Sequence, residues 1–153
     1  MIGIDFTEEM LNKARITAAH YGYNNVEFRQ GEIESIPLES NFADYVISNC
    51  TINLTQDKYR AFREMFRILK PGGNISVCDN VLQEQFPEKM EIDLDIWTSC
   101  VAGALLKQEY LNAISETGFS EVVIIEEKDF DTTNLNIPVS VLSITVKAHK
   151  PEG

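Results

Sequence analysis

The chain is organised around the stretch Ser48-Asn49-Cys50-Thr51-Ile52-Asn53-Leu54. It follows the apolar run Tyr45-Val46-Ile47, which predicts a buried strand, and it precedes an amphipathic helix. Cys50 therefore lies where a strand ends ahead of a helix. In open α/β sheets, ligands bind at the carboxyl ends of the strands, so a thiol with Asn49 and Asn53 beside it is expected at a ligand crevice. The alternative is that Cys50 is a small buried hydrophobe, as free cysteines commonly are.

Strands and helices alternate along the first two thirds of the chain, a pattern typical of a parallel α/β sheet. Two strands in succession at the end predict an antiparallel hairpin at one edge. The predicted elements are, in order, strand 2–5, helix 8–20, strand 26–29, strand 45–47, helix 57–69, strand 74–77, helical pieces within 81–106, helix 108–117, and strands 122–126 and 139–148.

Composition limits the classes of function. The length of 153 residues predicts a single domain over 1–153. A net charge of -11 disfavours nucleic acid and anionic membrane surfaces as partners, because both would repel the chain. No apolar run approaches the roughly 18–20 residues that span a bilayer. Three cysteines, an odd number, without an N-terminal signal peptide predict reduced thiols in the cytoplasm.

Three features in sequence order carry a family resemblance. Asp5 closes the first predicted strand, Gly31-Glu32-Ile33 follows the second, and Lys70-Pro71-Gly72-Gly73 ends the helix after Cys50. This order resembles the class I S-adenosylmethionine-dependent methyltransferases, which have a Rossmann-like α/β sheet. The resemblance implies that Asp5 accepts hydrogen bonds from the ribose hydroxyls of the cofactor, which suits a carboxylate. It implies that the Gly31–Ile33 loop borders the adenine.

Two cysteine motifs narrow the resemblance. The stretch around Cys50 and the segment Trp97-Thr98-Ser99-Cys100-Val101-Ala102-Gly103-Ala104-Leu105 are similar to those of arsenite methyltransferases. This resemblance implies that thiolates of Cys50 and Cys100 bind trivalent arsenic, a soft ion with affinity for sulfur. A lone pair on the bound arsenic would then attack the methyl group of the cofactor without a general base. The implied substrate is a small molecule, arsenite or its thiol conjugate, and the residues implied to hold S-adenosylmethionine are Asp5, Phe6, Glu32, Ile33 and Asn49.

The sequence departs from that family at two places. The first strand of the family and its glycine-rich loop are not found before Ile2, so we expect an N-terminally truncated domain with residual or no activity. In this fold the first strand lies centrally, and its absence predicts unpaired strand edges that pair with a second copy in a homodimer. The second departure concerns a third thiol for arsenic, because Cys78 is the only cysteine of this chain besides Cys50 and Cys100. Packing in a strand is the favoured interpretation of Cys78, with arsenic ligation as the alternative.

Two further functions stay open at this point. The chain could methylate a small organic acceptor, with Cys50 and Cys100 serving only in packing. It could instead be a non-catalytic, dimeric interaction module that has lost its cofactor. Arsenite titration of cysteine variants separates the first alternative from the arsenic hypothesis, and titration with S-adenosylhomocysteine tests the second.

Overall fold

The computed structural model describes residues 1–87, 100–133 and 137–153. Within them the chain forms six strands, three α-helices and a short 3-10 helix. The strands are β1 (Ile2–Asp5), β2 (Glu27–Gln30), β3 (Ala43–Asn49), β4 (Leu69–Leu82), β5 (Ser120–Asp129) and β6 (Val141–His149). The helices are α1 (Glu8–His20), α2 (Lys58–Ile68) and α3 (Lys107–Glu116), and the 3-10 helix is Ile52–Leu54.

The described strands form two separate sheets. β1 and β2 pair in parallel, with Asp5 opposite Gln30 at their carboxyl ends. The other sheet has the order β3-β4-β6-β5, in which β3 and β4 are parallel while β6 runs antiparallel to both β4 and β5. The predicted antiparallel pair at one edge is therefore confirmed. Among the described residues, β1 and β3 each pair with one neighbour only.

The core lies between one face of the larger sheet and helices α2 and α3. Phe62 of α2 and Tyr110 of α3 meet edge to face with ring centroids 5.5 Å apart. Both pack with Ile75, Val77 and Ile144 of the sheet in one buried cluster. Burial on this scale is the main source of stability, at roughly 1.5–3 kcal/mol for each large apolar side chain. Ile4 of β1 also packs against this cluster, so the small sheet shares the same core.

The prediction that Tyr45-Val46-Ile47 is buried is wrong for two of its three residues. Val46 packs against the core, whereas Tyr45 is 46% and Ile47 71% exposed. The reason is the two-residue period of a strand, which points Tyr45 and Ile47 to the opposite face of the sheet. None of the described helices covers these two side chains.

Several predicted boundaries also change. Helical structure was expected from residue 81, but Val81 and Leu82 continue β4, where they pair with Leu142 and Val141 of β6. The long antiparallel partner extends the strand beyond the range that local sequence indicates. Residues 83–87 and 100–106 of that region form bends, turns and loop, so the prediction is wrong there too, and residues 88–99 lie outside the described residues. No helix in the described part of the chain has the length and apolarity that a membrane crossing requires.

Candidate functional site

Cys50 occupies a sharp turn at the carboxyl end of β3. Its backbone amide donates a hydrogen bond to the carbonyl of Cys78, 2.8 Å away, which holds it beside β4. Its φ is +51°, in the left-handed region that non-glycine residues seldom adopt. A single residue in this region costs on the order of 1–2 kcal/mol, so the surrounding structure must hold it there.

Cys100 lies against Cys50 although the two are far apart in sequence. The Cys100 thiol donates a hydrogen bond to the backbone carbonyl of Cys50 at 3.5 Å. Its φ of +61° is also left-handed, and both cysteines are half-buried. The fold therefore brings together the two thiols that sequence reasoning singled out. Two adjacent thiols, each on a strained backbone, form a pair that a soft ion could bridge.

The environment of the pair keeps both thiols protonated at neutral pH. Burial, together with the neighbouring Cys100 and Asp79, raises the pKa of the Cys50 thiol to about 11. Burial and then Asp79 also raise the pKa of Cys100, while its hydrogen bond with Cys50 acts in the opposite direction. These cysteines differ from the reactive cysteines of redox enzymes, whose pKa is lowered by nearby positive charge.

A buried carboxyl group lies next to this pair. Asp79 of β4 is fully buried, and its Oδ2 accepts a hydrogen bond from the Tyr110 hydroxyl at 2.8 Å. Its Oδ1 has no hydrogen bond of standard geometry within the described residues. Burial raises the pKa of Asp79 to about 6, and the Tyr110 hydroxyl, the Asn53 backbone amide and the Lys58 ammonium partly offset the rise.

Lys58, at the start of α2, faces the same region from the helix side. Its ammonium donates to the Thr55 carbonyl at 3.4 Å, and desolvation lowers its pKa. Asp79 and Glu34 counteract that shift, so Lys58 is the positive charge that faces the buried carboxyl. Over residues 1–87, 100–133 and 137–153, no group of three His, Cys, Asp or Glu side chains is arranged to hold a metal ion. Cys78 does not complete a trio, and its thiol lies 3.9 Å from the Ser143 hydroxyl.

The residues implied for cofactor binding lie at the carboxyl ends of strands. Asp5 ends β1, and the Gly31 amide donates to its carbonyl at 3.0 Å, so the loop Gly31–Ile33 adjoins Asp5. Phe6 and Glu32 are exposed, and Ile33 packs partly on the core. Asn49, the last residue of β3, is exposed beside Cys50. The proximity of Asp5 to the Gly31–Ile33 loop agrees with the expectation, while the binding role of each residue stays a prediction.

Asp5 also has a local structural role. Its Oδ1 accepts hydrogen bonds from the Thr7 amide at 2.8 Å and from the Thr7 hydroxyl at 2.7 Å. These bonds fix the turn into α1, as an acid just before a helix often does. Such a turn leaves the second carboxylate oxygen for other donors, and no partner for it is found among the described residues.

Sequence reasoning missed part of this site. Asn53 was expected to face a crevice with its amide, but it is buried and binds backbone carbonyls. Asp79 and Tyr110 were not identified as neighbours of the cysteines. The signal for Asp79 was available, because it is an acid directly after a strand, the same pattern that singled out Asp5. The pairing of Asp79 with Tyr110 depends on the docking of α3 and has no local signal.

Comparison with known proteins identifies relatives over most of this chain. The family model described as "Methyltransferase domain" matches residues 1–118. An arsenite methyltransferase of Halobacterium salinarum is 38% identical over 158 residues, which cover 99% of this chain and 40% of that protein. A demethylmenaquinone methyltransferase of Lactococcus lactis is 37% identical over 78 residues, which cover 51% of this chain and 31% of that protein.

A solved structure extends the similarity to three dimensions. An arsenic(III) S-adenosylmethionine methyltransferase from Chlamydomonas reinhardtii has a TM-score of 0.84 and 29% identity to this chain. The alignment covers 99% of this chain and 56% of that chain. The chain thus spans less than half the length of the arsenite methyltransferase from Halobacterium salinarum.

Proposed function

Because the chain belongs to the family of methyltransferase domains, we propose that it forms part of an enzyme that transfers a methyl group from S-adenosylmethionine to trivalent arsenic bound by Cys50 and Cys100. The observation that carries the proposal is the contact between the two cysteines, in which the Cys100 thiol meets the Cys50 carbonyl at 3.5 Å. The arsenite and arsenic(III) methyltransferases among its relatives support the choice of acceptor.

The chemistry of arsenic capture suits two protonated thiols. When arsenite binds, each sulfur–arsenic bond that forms replaces an arsenic–oxygen bond. The thiol proton leaves with the hydroxyl group as water, so the exchange consumes no base and creates no net charge. Neutral thiols with raised pKa values can therefore load arsenic in a half-buried site. The chain's further task is to orient the bound arsenic and to exclude water from it.

The residues at the ends of β1 and β2 fit the nucleoside part of the cofactor. Asp5 would hold the ribose hydroxyls, and Phe6, Glu32 and Ile33 would border the adenine, with Asn49 next to Cys50. The carboxylate of Asp5 and its adjoining loop offer acceptors and apolar surface at one strand end. When bound, S-adenosylmethionine would supply an electrophilic methyl group. Binding of S-adenosylhomocysteine to this chain tests these assignments, and its absence would favour the non-catalytic interaction module.

The competing enzymatic function is methylation of a small organic acceptor. The similarity to the demethylmenaquinone methyltransferase of Lactococcus lactis favours it over half of the chain. In that case the two cysteines would have only a packing role, and their replacement would leave ligand binding unchanged.

Calorimetric titration with arsenite separates the two functions. We expect the wild-type chain to bind arsenite, and Cys50→Ser and Cys100→Ser each to weaken binding at least about tenfold, because each removes one of two sulfur bonds. The matched control is Cys78→Ser, since Cys78 is also a half-buried free thiol but lies against Ser143. Equal affinity in all four proteins would contradict the arsenic proposal.

The same proposal includes a cellular location and an oligomeric state. Free thiols need a reducing compartment, which is the basis for a cytoplasmic location. The oligomeric state follows from self-association through the edges of β1 and β3 that have no partner strand within the described residues, because such an edge is a template for another strand.

A further inference from the structure

We propose that Asn53 is a positioning residue that fixes Cys100 opposite Cys50 and so converts two separate thiols into one two-thiol site. The inference deepens the proposed function and rests on it. The buried carboxamide of Asn53 reaches from the segment that holds Cys50 to the backbone of Cys100.

The Asn53 side chain joins three pieces of the chain. It is buried, with 1% of its surface exposed, and belongs to the 3-10 helix that follows Cys50. Its Nδ2 donates to the Asn80 carbonyl of β4 at 2.7 Å and to the Cys100 carbonyl at 3.0 Å. One amide group therefore links the turn at Cys50, the end of β4 and the peptide of Cys100.

The bond to the Cys100 carbonyl controls where its thiol points. Cys100 has a left-handed backbone, which is costly unless neighbours hold it. Anchoring the carbonyl fixes the orientation of the adjacent peptide, and the thiol then meets the Cys50 carbonyl. Without the anchor, relaxation of Cys100 to ordinary backbone angles would swing the thiol away from Cys50.

The backbone of Asn53 constrains the same loop. A Cβ atom at Gly103 would lie 2.0 Å from the Asn53 carbonyl oxygen, so only glycine permits this approach. The Cys100 loop is thus fitted against Asn53 at two points, the carbonyl of Cys100 and the Cα of Gly103.

The cost of this arrangement indicates a role beyond packing. Asn53 Oδ1 is buried and has no hydrogen-bond partner within the described residues. A buried unsatisfied polar atom costs about 1–3 kcal/mol, which an apolar side chain in the same place would avoid. An apolar residue would, however, lack the Nδ2 donor that binds the carbonyls of Asn80 and Cys100.

The test compares two reagents that read different properties. Phenylarsine oxide binds tightly only when two thiols converge, whereas iodoacetamide alkylates single thiols. Asn53→Asp keeps the shape but replaces the donor with an acceptor that faces two carbonyl oxygens. Gly103→Ala displaces the loop from the other side. The control is Thr55→Val, which removes a 2.8 Å hydrogen bond to the Ile52 carbonyl in the same turn without contact to Cys100.

We expect Asn53→Asp and Gly103→Ala to weaken phenylarsine oxide binding at least about tenfold, with alkylation rates of Cys50 within about twofold of wild type. Thr55→Val should bind like wild type. Circular dichroism checks folding, and should Asn53→Asp not fold, Gly103→Ala decides. Wild-type affinity in the folded variants would overturn this inference while leaving the proposed function intact. Failure of the wild-type chain itself to bind phenylarsine oxide would overturn the proposed function.

Discussion

At the scale of single residues, Asp79 is a carboxyl group whose negative charge the fold disfavours. Its carboxyl is fully buried, and its pKa is raised from 3.8 to about 6. The folded state therefore holds the Asp79 proton at pH values where the unfolded chain has released it. Stability conferred by this group is present below pH 4 and is lost as the pH rises to about 6.

Asp79→Asn should remove this pH dependence. The raised pKa corresponds to roughly 3 kcal/mol that the wild type loses between pH 4 and pH 7. The variant's stability relative to wild type should accordingly rise between pH 4 and pH 7. The amide oxygen of the variant can still accept from the Tyr110 hydroxyl. Urea unfolding across that range measures the difference. A difference that is constant with pH would contradict the assignment.

Tyr110→Phe provides the matched control for Asp79. It removes the hydroxyl that donates to Oδ2 and keeps the ring that packs on Phe62. Because that hydrogen bond lowers the Asp79 pKa, its loss should raise the pKa further. The loss of stability with rising pH should therefore extend to higher pH in this variant, whereas it should disappear in Asp79→Asn.

Cys50 and Cys100 show which features of the candidate site could be predicted from single residues. A strand end and two motifs sufficed to single out Cys50 and Cys100, and the structure brings them into contact. Their left-handed backbones and the buried carboxamide of Asn53 had no sequence signal. Those features arise from the meeting of segments about fifty residues apart, which no local pattern encodes.

At the scale of elements, α2 depends on the residue just before it. Asp57 is the N-cap, and its side chain accepts a hydrogen bond from the Arg60 amide at 2.9 Å. α2 carries Phe62 and Met65 into the core and presents Lys58 near Asp79, so the cap positions both.

Asp57→Ala should reduce the free energy of unfolding by about 1 kcal/mol, because the helix loses its capping acceptor. Asp57→Ser should retain most of the stability, since serine is also a strong N-cap. Urea denaturation of the three proteins side by side measures the loss. Equal stability of Asp57→Ala and wild type would show that the cap contributes nothing.

Element boundaries were predictable where local chemistry sets them. The predicted span of α1 agrees with the structure, because acids at its start and Gly22 after its end are local signals. β4 was predicted far too short. Its length is set by pairing with β6, which begins nearly sixty residues later.

At the scale of the whole molecule, the class I methyltransferase fold predicted from sequence is confirmed by the family match and by the structural similarity. The fold could be recognised because strand-end acids and loops occur in a fixed order. The exposure of Tyr45 and Ile47 on β3 could not be predicted, because the burial of a strand depends on what packs over it. The sequence of a strand does not indicate which elements pack over it.

In the part of the chain that the structure describes, β1 and β3 each bond to a single neighbouring strand, and this predicts self-association. We expect the wild-type chain to dimerise at micromolar concentrations in analytical ultracentrifugation. Ile47→Lys, on β3 and 71% exposed, should shift it toward the monomer, because a charged side chain disfavours pairing at an edge. Ile16→Lys, on α1 and 70% exposed, is the matched control and should not. A monomeric wild type would contradict the prediction.

The separation of the described strands into two sheets has an energetic consequence. The amide protons of β1 and β2 are protected by a two-stranded ladder of four residue pairs, whereas β4 is bonded on both sides. The small ladder can therefore open by local unfolding while the larger sheet stays intact. Asp5 and the Cys50–Cys100 pair, which the proposed function assigns to the ribose and to arsenic, would then belong to cooperative units that open at different rates. A ligand that contacts both would slow the opening of the smaller unit.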